Sequence, residues 1–134
     1  NRIIPETILS TLKNQSLRIR SSGKLIRDYL YVDDAVKAYF TIMNKLKNSN
    51  SKTLIYNVGS KDNLSVIKLV NMILGLMKRK DLKPVILNKS KKELTFQKLN
   101  DNKIRKELKW RQSITIKKGL NKTINWYKEN RNLF

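Results

Sequence analysis

The chain has 134 residues and no cysteine or histidine. This excludes a disulfide framework and thiolate chemistry, and it removes the commonest general base and transition-metal ligand, so we assign no metal site. A hydrophobic fraction of 40% and a charged fraction of 30% are typical of one globular domain with its own core. No segment reaches the about 18 apolar residues that a membrane span needs, because Lys68 interrupts the most hydrophobic stretch, residues 64–77.

The formal net charge of +20 has two interpretations. A strongly basic surface can bind nucleic acid or another polyanion. Alternatively, the composition has drifted toward Lys, Asn and Ile, the residues of AT-rich codons. The Lys residues are spread along the chain with few aromatic residues among them, so stacking platforms for single strands are not evident. We favour the second interpretation, with weak attraction to polyanions at low salt.

The first part of the chain mixes helical and extended patterns. Residues 3–15 predict a helix, residues 17–20 alternate with period two, and residues 21–23 predict a turn. Residues 29–32 predict a strand, after which Asp33 and Asp34 can cap a helix. The buried face of that helix is expected to comprise the residues at helical spacing, which are Ala35, Val36, Tyr39, Ile42, Met43 and Leu46.

The rest of the chain also alternates between predicted strands and predicted helices. Residues 53–58 predict a second strong strand, Ser65 caps a helix that runs to about residue 80, and residues 83–87 predict a short edge strand. After a polar loop at 88–98, Asn100 or Asp101 caps a short helix and Thr115 caps the last one. Trp110 and Trp126 are expected in the core. Three to four short strands joined through about five helices predict an α/β fold with a small mixed or parallel sheet.

Residues 27–35 (Arg-Asp-Tyr-Leu-Tyr-Val-Asp-Asp-Ala) resemble the second-lobe signature of the extended short-chain dehydrogenase/reductase family, which includes NAD-dependent nucleotide-sugar epimerases and 4,6-dehydratases. Five further segments match the family in order, and their amino-acid sequences are most similar to CDP-glucose 4,6-dehydratase-like sequences. These segments are residues 2–8 (Arg-Ile-Ile-Pro-Glu-Thr-Ile), 17–23 (Leu-Arg-Ile-Arg-Ser-Ser-Gly), 56–59 (Tyr-Asn-Val-Gly), 103–110 (Lys-Ile-Arg-Lys-Glu-Leu-Lys-Trp) and 119–127 (Gly-Leu-Asn-Lys-Thr-Ile-Asn-Trp-Tyr).

The resemblance implies that residues 1–134 are a single substrate-binding domain, the C-terminal lobe of an extended Rossmann-type enzyme. It would bind the nucleoside diphosphate of a nucleotide sugar (NDP-hexose), while a dinucleotide-binding domain expected N-terminal to Asn1 binds NAD. The start of the sequence is typical of a chain cut into partway. A cytoplasmic location and a homodimer of the whole enzyme are further expectations.

Catalytic and cofactor motifs are not found in this sequence. Its four glycines form no GxxGxxG turn, and no Tyr is followed four residues later by Lys, so we assign no catalytic and no cofactor-binding residue. We therefore predict a nucleotide-sugar-binding lobe of an NAD-dependent 4,6-dehydratase or epimerase, not catalytic alone. The alternative is a free-standing basic nucleic-acid-binding α/β module.

By resemblance, Arg27 is the arginine expected on the diphosphate, and its planar guanidinium suits two phosphate oxygens at once. The alternative is a structural salt bridge from Arg27 to Asp28 or Asp33. The family also tends to place a phosphate-binding arginine in the loop before Asn100. This chain has lysines there instead, so we assign no phosphate ligand in that loop; the lysines are Lys89, Lys91 and Lys92.

Other substrate-binding residues follow from the same motifs. Asn57 matches a position near the nucleotide, although it could instead cap a turn at the end of a strand. Arg2 and Ile3 match the segment that crosses the sugar-nucleotide cleft, although they could instead belong to a fraying terminus. The Ile19 backbone and the Arg20 side chain match the strand along the base and ribose, and the identity of the base is left open.

Overall fold

The computed structural model of the protein describes residues 2–50, 52–90 and 93–134. Within these ranges the helices are α1 (Ile3–Leu12), α2 (Val32–Lys47), α3 (Val66–Leu76), α4 (Asn102–Leu108), α5 (Ile116–Glu129) and a 3-10 turn at Arg131–Leu133. The strands in the same ranges are β1 (Arg18–Ile19), β2 (Ile26–Asp28), β3 (Asn63–Ser65) and β4 (Val85–Ile86). This element order confirms the predicted α/β fold.

The strands form two small pairs. β1 and β4 run parallel, with Arg18 opposite Val85 and Ile19 opposite Ile86, and β2 pairs with β3. The period-two prediction for residues 17–20 is confirmed, because Leu17 and Ile19 are buried whereas Arg18 and Arg20 are exposed. Two parallel strands must be joined by a crossover connection, and the order of the elements along the chain supplies helices between β1 and β4.

The chain divides into two compact units, and the first comprises the described residues within 1–27, 64–97 and 117–134. Its core joins β1 to α3, and α1 contacts α3. The buried members of this core are Leu17, Ile19, Leu25, Val66, Val70 and Leu74. Ser65 caps α3 as predicted, because its hydroxyl accepts a hydrogen bond from the Lys68 amide at 3.4 Å.

The second unit comprises the described residues within 28–63 and 98–116. Its core packs Ala38 of α2 against Ile104 of α4 and the buried ring of Trp110. Three carboxylates fasten its loops by accepting backbone N–H groups: Asp28 accepts from Ser60 and Leu99, Asp34 from Ser113 and Ile114, and Asp62 from Ile116. Because a carboxylate can accept several N–H bonds at once, these three residues connect segments that no long β-ladder joins in the described part of the unit.

The strand predicted at residues 29–32 is wrong. The strand ends at Asp28 and α2 already begins at Val32, so Asp33 and Asp34 lie in the first helical turn rather than before it. Acidic side chains in a first turn are stabilised by the helix dipole, and the loop at Ser113 and Ile114 holds Asp34 there. The helix therefore begins before both predicted cap residues, and Asp34 bonds the loop at Ser113 and Ile114 instead of capping the helix.

The strand predicted at residues 53–58 is also wrong, because no described strand pairs with it. The segment keeps its alternation, with Leu54, Tyr56 and Val58 half-buried and the residues between them exposed. A strand requires a neighbouring strand to accept its backbone hydrogen bonds, and within residues 2–50, 52–90 and 93–134 none lies beside it.

The predicted inward face of α2 is largely wrong. Ala38 is buried and Ile42 is half-buried, but the side chains of Tyr39 and Val36 are 74% and 43% exposed. Exposed apolar side chains form a stripe along the helix, which we call the α2 stripe: Val32, Val36, Tyr39, Phe40, Met43 and Leu46. Trp126, expected in the core, is also exposed and stacks edge-on against Tyr127.

Among the described helices, none combines the length and apolar character required to cross a bilayer.

Candidate functional site

The Arg27 guanidinium lies at the centre of the candidate site in the first unit. Its Nη1 donates to the carbonyl oxygens of Ile26 at 2.9 Å and of Leu94 at 2.7 Å. Its side chain is 22% exposed, and its Nε–H has no acceptor among the residues that the structure describes. Two carbonyls therefore fix the orientation of the group while part of its donor edge still faces solvent.

The remaining partner of Arg27 is an acid from a distant part of the sequence. Its Nη2 donates to the Glu93 carboxylate at 3.2 Å, and the second oxygen of Glu93 accepts from the Ser90 hydroxyl at 2.5 Å. The structural alternative for Arg27 therefore involves Glu93. Asp28 instead bonds the amides of Ser60 and Leu99 within the second unit.

Backbone hydrogen bonds hold the loop that contributes Glu93. At its start the Arg20 carbonyl accepts from the Lys89 and Ser90 amides at 2.7 and 3.2 Å. At its end the Ile26 amide donates to Thr95, and the Ile26 carbonyl accepts from Gln97. The loop thus joins the backbone at Arg20 to the strand that carries Arg27. Lys91 and Lys92 of the same loop lie outside the described residues.

The other expected substrate-binding residues of the first unit occupy different surroundings. The Ile19 side chain is 2% exposed in the core, and the Ile19 carbonyl already accepts from the Leu87 amide at 2.8 Å. Ile3 packs against the same core. Arg2 is exposed at the start of α1, where it lines a cavity of about 280 Å³ together with Glu6 and Lys13. The structure thus groups Arg20 with Arg27 around one loop and Ile3 with Ile19 in one core.

Asn57 belongs to the second unit. It lines a cavity of about 340 Å³ with apolar side chains of α2 and of its own segment, including Ile42, Tyr39 and Val58. Nearby, the Tyr56 hydroxyl donates to the Glu107 carboxylate at 2.7 Å, and this hydrogen bond raises the pKa of Tyr56. Lys103 lies over the Tyr56 ring at 4.8 Å from its centroid. Asn57 is therefore an exposed amide beside an apolar cavity.

The model of the NAD dependent epimerase/dehydratase family matches residues 1–59. The chain is 31% identical over 140 residues to human dTDP-D-glucose 4,6-dehydratase, with 96% of this chain and 37% of that protein covered. It is 30% identical over 138 residues to the Escherichia coli dTDP-glucose 4,6-dehydratase, with 98% of this chain and 37% of that protein covered. Over nearly its whole length the chain is thus similar to members of the NAD-dependent epimerase/dehydratase family.

Crystal structures of family members have the same fold. The chain superposes on the dTDP-glucose 4,6-dehydratase of Bacillus anthracis, solved in complex with NAD, with a TM-score of 0.82 and 23% identity, covering 99% of this chain and 41% of that one. For the UDP-glucose 4-epimerase of Thermotoga maritima, solved with UDP-glucose, the TM-score is 0.85 at 22% identity, with 97% and 40% covered. At these identities the likeness concerns the fold.

The expected resemblance to 4,6-dehydratases is confirmed, and these epimerase/dehydratase relatives have dTDP or UDP in their names where we expected CDP. The chain spans about 37% of the length of the curated relatives it matches. The choice of cytidine and the roles of the individual site residues stay predictions.

Three residues of the site were not assigned from the sequence, and these are Ser90, Glu93 and Leu94. Glu93 lies 66 positions from Arg27 in the sequence, so no local pattern connects the two. Only tertiary structure could bring these groups together.

Proposed function

We propose that this chain is the nucleotide-sugar-binding lobe of an NAD-dependent 4,6-dehydratase or epimerase. The observation that carries the proposal is the Arg27 guanidinium, which backbone carbonyls orient and whose Nε–H has no acceptor among the described residues. The similarity to 4,6-dehydratases over at least 96% of the chain supports it.

In this proposal Arg27 binds the diphosphate. A guanidinium presents parallel N–H donors that match two phosphate oxygens, and a charge-assisted bond of this kind is about twice as strong as a neutral one. The two carbonyls on Nη1 restrict rotation of the group, so less conformational entropy is lost when phosphate binds.

The remaining contacts are assigned by family motif. We propose that the Arg20 side chain approaches the ribose or base, and that Arg2 and Ile3 line the rest of the substrate site in the first unit. Asn57 lies in the second unit, and its role near the nucleotide stays a prediction. Because the Ile19 carbonyl already accepts a hydrogen bond from the Leu87 amide, directly after β4, we expect Ile19 to support the neighbouring Arg20 rather than to receive a bond from the ligand.

The proposal requires a dinucleotide-binding half outside this chain, because the residues present do not fit NAD. A dinucleotide phosphate needs a glycine-rich turn before a helix. Here Gly23 lies in a turn before β2, Gly59 follows the segment at residues 53–58, and Gly75 and Gly119 lie inside helices. We therefore assign NAD binding and the catalytic acid and base to that other half.

Exposed surface of the second unit supports such a half. The α2 stripe is a contiguous apolar face, and large exposed apolar patches mark interaction sites. The segment at residues 53–58 also keeps its alternating burial pattern but pairs with no strand in the described part of the chain. Both features suit burial against another domain, whereas the nucleic-acid alternative depends on net charge alone. Cytoplasmic location and homodimerisation stay predictions.

The test joins this chain to the dinucleotide-binding half of the Escherichia coli relative and measures dTDP-, UDP- and CDP-glucose binding by calorimetry. Arg27→Ala is expected to weaken binding of the preferred ligand about 10- to 100-fold, since a hydrogen bond to a charged group contributes about 1.5–3 kcal/mol. Arg111→Ala removes the same charge from an exposed position of the second unit and serves as the matched control.

Two results would contradict the proposal. Equal affinities of Arg27→Ala and Arg111→Ala for the nucleotide sugar would show that Arg27 does not contact the ligand. Failure of the joined protein to bind any of the three nucleotide sugars would refute the assignment of this chain as the substrate-binding lobe.

A further inference from the structure

The Glu93 carboxylate is held on both of its oxygens. One accepts from Arg27 Nη2 at 3.2 Å and the other from the Ser90 hydroxyl at 2.5 Å. The side chain is nevertheless 45% exposed, so Glu93 is a surface acid that has been fixed in one place. That place is on the arginine to which we assign the diphosphate.

The backbone of the loop does not depend on this ion pair. The Ile26 amide bonds the Thr95 carbonyl at 2.9 Å, the Gln97 amide bonds the Ile26 carbonyl at 3.1 Å, and Ile26 forms a parallel bridge with Phe96. The Arg27 guanidinium also bonds the Leu94 carbonyl independently of Glu93. The Glu93 side chain can therefore rotate away while the strand beside Arg27 and the arginine itself stay in place.

We propose that Glu93 is a built-in competitor for the anion-binding edge of Arg27, which a phosphate ligand displaces when it binds. This inference rests on the proposed function. Glu93 takes Nη2 through one oxygen and leaves the Nε–H without an acceptor among the described residues. A diphosphate can bond Nη2 and Nε together, and it brings more negative charge than a single carboxylate.

The competitor lowers the affinity of the site for anions. Before a ligand binds to Nη2, the contact between Arg27 and Glu93 must break, and this cost is the same for every ligand that uses Nη2. A ligand that leaves Glu93 close by is also repelled by its carboxylate, and the repulsion increases with the negative charge of the ligand. Glu93 thus weakens the binding of diphosphates and does so more than it weakens the binding of singly charged anions.

The test titrates the full chain with inorganic pyrophosphate and, separately, with acetate at about 0.15 M ionic strength, which screens long-range attraction to the basic surface. The variant Glu93→Gln keeps the shape of the side chain and removes the competing charge. We expect it to bind pyrophosphate about two- to fivefold more tightly, the range of a partly exposed ion pair. The affinity of Glu93→Gln for acetate should increase by a smaller factor, because Glu93 repels a singly charged anion less than it repels pyrophosphate.

The matched control is Glu129→Gln, which changes the net charge identically at an exposed position of α5. Its affinity for pyrophosphate should equal that of the wild type. Ser90→Ala releases the second oxygen of Glu93 and should also tighten binding, by a smaller factor. It provides a second readout should Glu93→Gln disturb folding.

Equal or weaker pyrophosphate binding by Glu93→Gln and Ser90→Ala, with Arg27→Ala still losing affinity, would overturn the competitor role and leave the Arg27 assignment standing. Unchanged binding by Arg27→Ala would overturn that assignment together with the competitor role. We expect Glu93→Gln to increase the affinity for pyrophosphate more than Glu129→Gln does. This increase should disappear when Arg27 is also replaced.

Discussion

Asp34 is the most deeply buried carboxylate described, and replacing it with Asn tests how the second unit is held together. The side chain is fully buried. Its oxygens accept from the Ser113 hydroxyl at 2.6 Å, the Ile114 amide at 2.8 Å and the Ser113 amide at 3.1 Å, while Lys37 Nζ lies 3.9 Å away. Hydrogen bonds from the loop at residues 113–114, rather than the ion pair, therefore hold the carboxylate.

The magnitude follows from these contacts. The Asn side chain keeps one oxygen but places an NH₂ donor where the loop also presents donors. It therefore loses at least one bond to a charged acceptor, about 1.5–3 kcal/mol, and leaves a backbone donor unsatisfied, about 1–3 kcal/mol. We expect Asp34→Asn to lower the free energy of unfolding by about 3–5 kcal/mol, as for a broken buried charged contact.

Two companion variants remove partners of Asp34 one at a time. Ser113→Ala removes the hydroxyl that donates to Asp34 and accepts from Lys37 Nζ at 2.7 Å, and it should cost about 1–2 kcal/mol. Lys37→Met removes an ammonium whose side chain is 58% exposed, together with its bond to that hydroxyl, so solvent screening should limit the loss to about 0.5 kcal/mol. The order Asp34→Asn, Ser113→Ala, Lys37→Met is the expected ranking of destabilisation.

The assay is urea unfolding followed by tryptophan fluorescence in a Trp126→Phe background. Trp110 then remains as the single tryptophan, and it is buried in the core of the same unit as Asp34. Equal stability of Asp34→Asn and Lys37→Met would refute the reasoning, because it would mean that the hydrogen bonds from the loop contribute nothing.

The pH dependence gives a second check on Asp34. Burial alone would raise the pKa of this carboxyl, but the Ser113 hydroxyl, the Ile114 and Ser113 amides and the Lys37 charge lower it below the usual 3.8. A depressed folded-state pKa stabilises the protein above the unfolded-state pKa, and this stabilisation is lost as the pH falls through the folded-state pKa. The difference between wild type and Asp34→Asn should therefore be constant above about pH 5 and shrink below about pH 4.

Two further predictions concern single positions. Gly75→Ala should raise the free energy of unfolding by about 0.5–1 kcal/mol, because the residue is helical and the nearest atom to an added Cβ, in Lys80, is 3.8 Å away. Gly23→Ala should instead lower the free energy of unfolding, because Gly23 has φ of +74° and an added Cβ would lie 3.2 Å from Ile86. Thermal melts of both variants test the pair, and a stabilised Gly23→Ala would contradict it. Replacing Glu107 with Gln should lower the pKa of Tyr56, measured by NMR titration of the ring carbons, because the Glu107 hydrogen bond is what raises it.

Local patterns sufficed for a large part of this fold. The alternation of β1 and the cap of α3 each depend on residues within a few positions of one another, and each was predicted correctly. The anchoring of Arg27 was harder, because the motif identified the arginine but the salt-bridge partner expected for it was a neighbouring acid. The acid that binds it lies in a polar loop with little pattern of its own.

Sequence alone determined the α/β class, the resemblance to the family and the absence from this chain of a glycine-rich NAD turn, since these follow from periodicity and motifs that neighbouring residues define. Tertiary structure decided where α2 begins, which groups surround Arg27, and that residues 53–58 pair with no strand in the part of the chain that the structure describes. The physical reason is that strand pairing and the capture of a carboxylate by distant amides depend on segments that approach only in the folded chain, and no local pattern specifies them.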